Sequence, residues 1–257
     1  MVDITDENFE DTIDLFDFYF KFKPHYYQKK FFRACFNKKR LAGKWCRQSG
    51  KSHSVAIYVL FKALMTSNIT IILIAPTQNQ SKELYNKIRF IVESHQFINS
   101  SIVKSTETEL RFNNKSRIIS LPCGPHGHTI RGYTADIVVL EEAGIMKDEI
   151  VNSVIIPMLA SKGDEGQLIK IGTPLIRNHF YRSCYEDPEF EVINVTWKDC
   201  VRAGQYTQSF IDEQQRNSSD IEFKTEYEAE FIDDIMSFFP VALLDNAKSS
   251  YPMVEII

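Results

Sequence analysis

The apolar residues of this chain fall into short continuous runs separated by amphipathic stretches. The run NITIILIAPT, Asn68 to Thr77, is short and rich in isoleucine and predicts a buried strand. Directly after it, QNQSKELYNKIRFIVESH repeats apolar residues at Leu84, Ile88 and Ile91, the spacing of one helix face. Upstream, the pattern predicts a helix from Tyr26 to Phe36, a basic turn, a strand from Arg40 to Cys46, and a helix over Ser54 to Leu64. TELRFNNKSRIISLP alternates in polarity around Asn113 and Asn114 and predicts a hairpin. ADIVVL and GQLIKIG are further strands, separated by a predicted helix in KDEIVNSVIIPMLAS. Strands alternating with helices imply an α/β fold with a mostly parallel sheet, helices on both faces, and ligands at the carboxyl ends of the strands.

The pattern divides the chain into an acidic and aromatic segment, 1–25, a core, 26–203, and a charged region with two short helices, 204–257. The closing SSYPMVEII reads as the first strand of something further. A length of 257 residues suits one large domain. Hydrophobic residues at 44% and charged residues at 25% are globular values, and no apolar run approaches the roughly 20 residues that cross a bilayer. With an acidic rather than basic opening, the chain is expected to be soluble and intracellular. The cysteines Cys35, Cys46, Cys123, Cys184 and Cys200 are odd in number and lack metal spacing, so they are expected to be reduced thiols. A net charge of -4 gives no global attraction to nucleic acid, so any grip on DNA must be local. His126 and His128 lack partners for a metal site and read as loop residues. Tyr19, Phe20, Phe22, Tyr26 and Tyr27 form an aromatic cluster expected to pack in the core.

Candidate chemistry begins in KWCRQSGKSHSVAIYVL. Gly50, Lys51 and Ser52 fill the last three places of the phosphate-binding pattern G-x-x-x-x-G-K-[ST], while Trp45 stands where its first glycine belongs. In that pattern backbone N–H groups hold phosphates, the lysine reaches the terminal ones, and the hydroxyl meets Mg²⁺. DIVVLEEAG places Glu141 and Glu142 at the end of a buried strand, costly unless they serve a ligand. Glu141 takes the metal-side place usual for aspartate, and Glu142 is the candidate for activating water. In KIGTP, Thr173 can sense the γ-phosphate, or the segment is an ordinary turn before proline. Gln28 either reads an adenine through both edges of its amide or is a surface glutamine.

Together, CRQSGKS, APTQNQS, TIRGYTADIVVLEEAG and GTPLIRNHFYR, in this order, resemble the ATPase domain of the large terminase subunit of tailed viruses, over about Tyr26 to Phe231. The resemblance implies a P-loop fold of the RecA/ASCE type that uses ATP and Mg²⁺ to drive double-stranded DNA into a capsid. It also implies partners: DNA, a portal protein, a small terminase subunit, and further copies forming a ring, weakly associated when isolated. The implied location is the host cytoplasm and, transiently, the capsid portal. The family tolerates a non-glycine first position and carries arginine and glutamine in the loop, here Arg47 and Gln48 followed by Ser49. By resemblance Lys51 and Ser52 bind phosphate and Mg²⁺, Glu142 is the catalytic carboxylate, and Gly172, Thr173 and Pro174 form a coupling motif. Arg131 is implied to act on a neighbouring subunit's ATP, with Arg47 as the alternative within its own subunit, and pairing with Asp136 or binding DNA as its plainer roles. The family's nuclease domain is expected to be absent from this chain. A helicase-like DNA translocase and a degenerate nucleotide-binding scaffold are the competing readings.

Overall fold

In a computed structural model of the chain, residues 8–232 are described. Helices α1 (Phe9–Phe20) and α2 (Tyr26–Asn37) lead into strand β1 (Arg40–Trp45) and helix α3 (Lys51–Met65). Strand β2 (Thr70–Ala75), helices α4 (Gln78–Glu93) and α5 (Gln96–Ser100), and strands β3 (Ile102–Ser105), β4 (Glu109–Phe112) and β5 (Arg117–Pro122) follow. Then come β6 (Ile137–Glu141), a short helix α6 (Asp148–Ile150), β7 (Gln167–Gly172), α7 (His179–Tyr185) and β8 (Glu191–Val195). The described chain closes with α8 (Trp197–Arg202), α9 (Gln208–Asn217) and α10 (Asp220–Glu226).

Among the described residues one sheet holds eight strands in the order β3-β4-β5-β2-β6-β7-β1-β8. From β5 to β8 all neighbours are parallel, and only the β3-β4-β5 end is antiparallel. The expected hairpin around Asn113 and Asn114 is the β4-β5 turn, where Asn114 Nδ2 also donates to Ala63 O (2.8 Å) and holds the end of α3.

Successive residues of each central strand face opposite layers, as the pleat requires. Leu41, Trp45, Ile71, Leu73, Val139 and Ile169 pack on the side of α1 to α4, while Ala42, Ile72, Ile74, Val138, Leu140 and Leu168 meet the segment before β7 and Phe180 of α7. Helix α3 lies between the sheet and other helices, which is why Val55 to Phe61 is buried all round. The aromatic cluster packs as expected: Phe20 and Tyr27 are buried, and Tyr19, Phe22 and Tyr26 lie against the same core.

The structure adds strand β3 and the short helices α5, α7 and α8 to the expected pattern, and departs from it also at α1, at β8 and before β7. Helix α1 is present because Phe9, Ile13, Phe16 and Phe20 repeat on one face, and Phe16 meets Phe32 and Phe61 at centroid distances of 4.8 and 5.0 Å. Strand β8 lacks an apolar run because, among the described residues, it is an edge strand that pairs with β1 alone. The helix expected in residues 147–161 is broken: after α6 the turns widen over Val151–Ile155 and tighten over Ile156–Glu165, with Pro157 at the junction. The closing SSYPMVEII lies outside the described residues.

Buried polar pairs fix the register of the layers. Gln167, at the start of β7, accepts from Tyr58 Oη (2.6 Å) and donates to Cys35 O (2.7 Å) and Lys38 O (2.8 Å), tying α3, α2 and the sheet together. Leaving these buried partners unmatched costs about 1–3 kcal/mol for each group. We expect Gln167→Ala to lower unfolding stability by about 2–4 kcal/mol in urea titration, against a change within about 0.5 kcal/mol for Arg89→Ala in an exposed helical ion pair.

Candidate active site

Strand β7 lies between β1 and β6, so the turns leaving all three open side by side at the carboxyl edge of the sheet. After β1 the chain forms the loop 46–50 and enters α3 at Lys51. Gln48 (φ 54°) and Gly50 (φ 85°) take the left-handed conformation, the backbone reversal that gathers N–H groups into an anion-binding nest. The loop also sits at the positive end of a 15-residue helix. Only glycine suits position 50, where a Cβ would lie 2.9 Å from Gln28 Nε2 as well as straining the backbone. Trp45 explains the missing first glycine. It is the last residue of β1, and its indole is buried with centroids 5.5 Å from both Tyr27 and Phe31, so its bulk fills the core.

Lys51 and Ser52 open α3 and face the strand-end acids. Lys51 Nζ lies 2.8 Å from Glu142 Oε1 and donates to Thr173 Oγ1 at 3.2 Å, with its side chain only 9% exposed. The Ser52 hydroxyl donates to Glu141 Oε1. Glu141 is buried, and its Oε2 has no hydrogen-bond partner. Burial holds its carboxyl above the ordinary range, and the Ser52 hydroxyl only partly offsets this. The orphan oxygen and the serine hydroxyl are hard oxygen donors of the kind Mg²⁺ takes beside substrate phosphates, so the residues fit that ion.

Glu142 itself adopts φ 54°, which turns the chain sharply after β6. The turn is pressed against the end of β7: a Cβ on Gly144 would lie 2.5 Å from Thr173 O. Asn178, the cap of α7, closes the arrangement by donating from Nδ2 to Gly144 O (2.8 Å) and Met146 O (3.2 Å). Thus Glu141, Glu142, Thr173, Lys51 and Ser52 meet at one place, held by backbone contact between two turns.

Other expected site residues are placed differently. Ser49 is fully buried, its Oγ donating to Cys46 O (2.6 Å), while Tyr27 Oη donates to Ser49 O (3.1 Å). Gln28 is buried, not on the surface. Its Oε1 accepts from His25 N (2.9 Å) and its Nε2 donates to Ser54 Oγ (3.1 Å), so its carbonyl edge is already in use behind the loop. Arg47 is exposed, with its N–H on Glu226 O (2.8 Å) and its guanidinium 3.9 Å from the Glu226 carboxylate. Arg131 is exposed on the loop between β5 and β6, in a cleft shared with His126, Lys147 and Glu149. It does not pair with Asp136, which accepts from Thr70 N (2.8 Å) and pairs with Lys162 (2.8 Å). His126 and His128 lie in that loop as expected, and among the described residues no group of three His, Cys, Asp or Glu is placed to hold a metal.

Sequence reasoning missed the residues that brace the loop from behind. Tyr206 Oη donates to Arg47 O, Cys200 Sγ lies 3.6 Å from Cys46 Sγ, and Glu226 O receives the Arg47 N–H. All belong to the stretch from α8 to α10, far along the chain, and no local pattern marks them. Asn178 did carry a signal, an asparagine directly before a short helix.

The fold and the loop together define an α/β protein of the phosphate-loop class. The chain belongs to the family described as terminase large subunit, T4likevirus-type, N-terminal, whose profile matches residues 45–245. The large terminase subunit of Thermus phage G20c is 25% identical over 253 residues, covering 85% of this chain and 50% of the relative. That of Thermus virus P23-45 is 24% identical over 256 residues, with the same shares. The chain therefore spans about half the length of these curated relatives. Among solved structures, the large terminase ATPase domain of Thermus phage P74-26 shares the fold with a TM-score of 0.71 at 23% identity, over 85% of this chain and 98% of that one. The large terminase of bacteriophage D6E in complex with ADP has a TM-score of 0.65 at 12% identity, over 80% and 53%.

A carboxyl whose pKa folding raises contributes stability that is fully present below its unfolded value of about 4.3 and is lost as pH rises through the folded value. Glu141→Gln, which mimics the protonated form, is therefore expected to raise the urea midpoint at neutral pH. The gap should close below about pH 4, where the carboxylates are protonated in both states.

Proposed function

We propose that this chain binds ATP with Mg²⁺ and hydrolyses it, and that the hydrolysis drives double-stranded DNA into a viral capsid. The observation that carries this reading is Lys51 Nζ held between Glu142 Oε1 and Thr173 Oγ1 at the mouth of the 46–50 loop. A triphosphate seated on that loop offers Lys51 stronger acceptors than its present ones. Lys51 then leaves Glu142, whose carboxylate is free to orient water and accept its proton, and Thr173, whose hydroxyl can turn to the terminal phosphate. Ser52 and Glu141 would hold Mg²⁺, which neutralises charge on the phosphate oxygens when bound.

The position of Arg131 supports its proposed role. It is exposed on the loop that leaves β5, and β2 lies between β5 and the acid strand β6, so it suits a neighbouring subunit's site better than its own. Arg47, beside the loop but held by Glu226, is the alternative within one subunit. Family membership supports a ring of copies at a portal, with DNA and a small terminase subunit as further partners. No helix of the described residues is long and apolar enough to cross a membrane.

Lys51→Ala is expected to abolish ATP binding, and Glu142→Gln to keep it while lowering turnover by at least about 100-fold, the scale of general-base catalysis. Isothermal titration and phosphate release measure the two effects. Equal affinity in wild type and Lys51→Ala would refute the site.

Turnover should also rise more than linearly with protein concentration. Arg131→Ala and Glu142→Gln subunits, each nearly inactive alone, should recover activity on mixing, because one interface then joins an intact Glu142 to an intact Arg131. Full turnover by Arg131→Ala at every concentration would transfer the role to Arg47.

A further inference from the structure

The thiols of Cys46 and Cys200 meet behind the phosphate loop, and the proposed function does not use them. Cys46 is the first residue of the loop, next to Trp45, and its N–H is fixed on Val195 O of β8 (2.9 Å). Cys200 lies in α8, 154 residues away in the chain, with its Sγ 3.6 Å from that of Cys46. Both side chains are fully buried, and the Tyr206 hydroxyl lies 3.9 Å from Cys46 Sγ. A sulfur-sulfur bond is about 2.05 Å long, so closing one here requires an approach of about 1.5 Å.

The surroundings distinguish this pair from the other cysteines. The Cys200 S–H and the charge of Lys51 hold the Cys46 thiol below its usual range despite burial, while the same contact with Cys46 pushes Cys200 up. Burial raises Cys35, Cys123 and Cys184 instead, the last to about 12. The thiolate is the reactive form of cysteine. The group best able to carry that charge therefore lies within reach of a second sulfur.

We propose that Cys46 and Cys200 form an oxidation site, in which a hydroperoxide converts the two thiols to a disulfide that pins the phosphate loop to α8 and disables it. The disabling step rests on the reading of that loop as a nucleotide site. In the first step the Cys46 sulfur attacks a peroxide oxygen, the O–O bond breaks, and a sulfenic acid forms as hydroxide leaves and takes up the thiol proton. In the second the Cys200 sulfur attacks the Cys46 sulfur, and water leaves with the Cys200 proton. Two thiols are oxidised and one hydrogen peroxide is reduced to two waters. Because neither sulfur meets solvent in the closed fold, oxidant enters when the cover of α8 to α10 opens, and the reaction is slow beside that of an exposed thiol. The pull on Cys46 moves the carbonyl that receives the Ser49 hydroxyl, and with it the loop that leads to Gly50.

The full chain, treated with hydrogen peroxide and then alkylated after unfolding, should yield a single linked peptide pair containing Cys46 and Cys200 on non-reducing mass mapping. Its mass should be two hydrogens below the sum of the free peptides. Cys184→Ser should keep this product and Cys200→Ser should lose it. Binding of a non-hydrolysable ATP analogue should fall at least about tenfold on oxidation, recover with a reducing agent, and stay unchanged by peroxide in Cys200→Ser. Full alkylation of both cysteines after peroxide, or linkage to a different cysteine, overturns the proposal. So does a disulfide form that binds the analogue as tightly as the reduced chain. If the analogue binds neither form while the linkage appears, the nucleotide reading fails and the oxidation chemistry stands.

Discussion

The ammonium of Lys51 is the point on which the carboxyl edge of this sheet depends. It is nearly buried, and a cation so placed without a carboxylate partner costs about 3–5 kcal/mol. Glu142 supplies the partner at 2.8 Å, and Thr173 a second acceptor at 3.2 Å. One side chain from the start of α3 thereby ties together the turns that follow β6 and β7. The contact occupies the group that a phosphate would engage under the proposed function, and on that reading ligand binding would also release Glu142.

That arrangement needs turns that approach one another without side chains in between. Gly144 against Thr173 O leaves no room for a Cβ, and Asn178 fixes the same turn from α7. The strain of a left-handed glutamate at position 142 is sustained because backbone contacts on both sides determine it. Glu141 sits one residue earlier, inside the strand, where burial raises its carboxyl and leaves one oxygen unpartnered. Two adjacent acids thus have different surroundings, one partly exposed and paired with lysine, the other enclosed beside a serine hydroxyl.

A second line of contacts runs behind the loop. Backbone N–H groups of Arg47, Trp197 and Ile232 bond to Glu226 O, Tyr227 O and Leu175 O, respectively. The segment after α10 therefore crosses from the phosphate loop to the turn beyond Thr173. It links the loop that would hold phosphate with the turn after β7 through main-chain bonds, which resist substitution of the side chains along it.

The sequence by itself determined the periodicity and the local chemistry. Apolar runs marked the central strands from Arg40 onward, and the order Gly50, Lys51, Ser52, then Glu141 and Glu142, then Thr173 marked residues that meet in space, because each follows a strand of a parallel sheet and all such ends share one edge. Tertiary structure alone decided which face Trp45 occupies, that Gln28 lies behind the loop with its carbonyl in use, and that Arg47 pairs with Glu226. It also decided the edge strand β8, whose pairing with β1 leaves no apolar run to read. The physical reason is range. Propensity and periodicity act over a few residues, whereas the bracing of the phosphate loop by Cys200, Tyr206 and Glu226 joins groups more than 150 residues apart, and only packing brings them together.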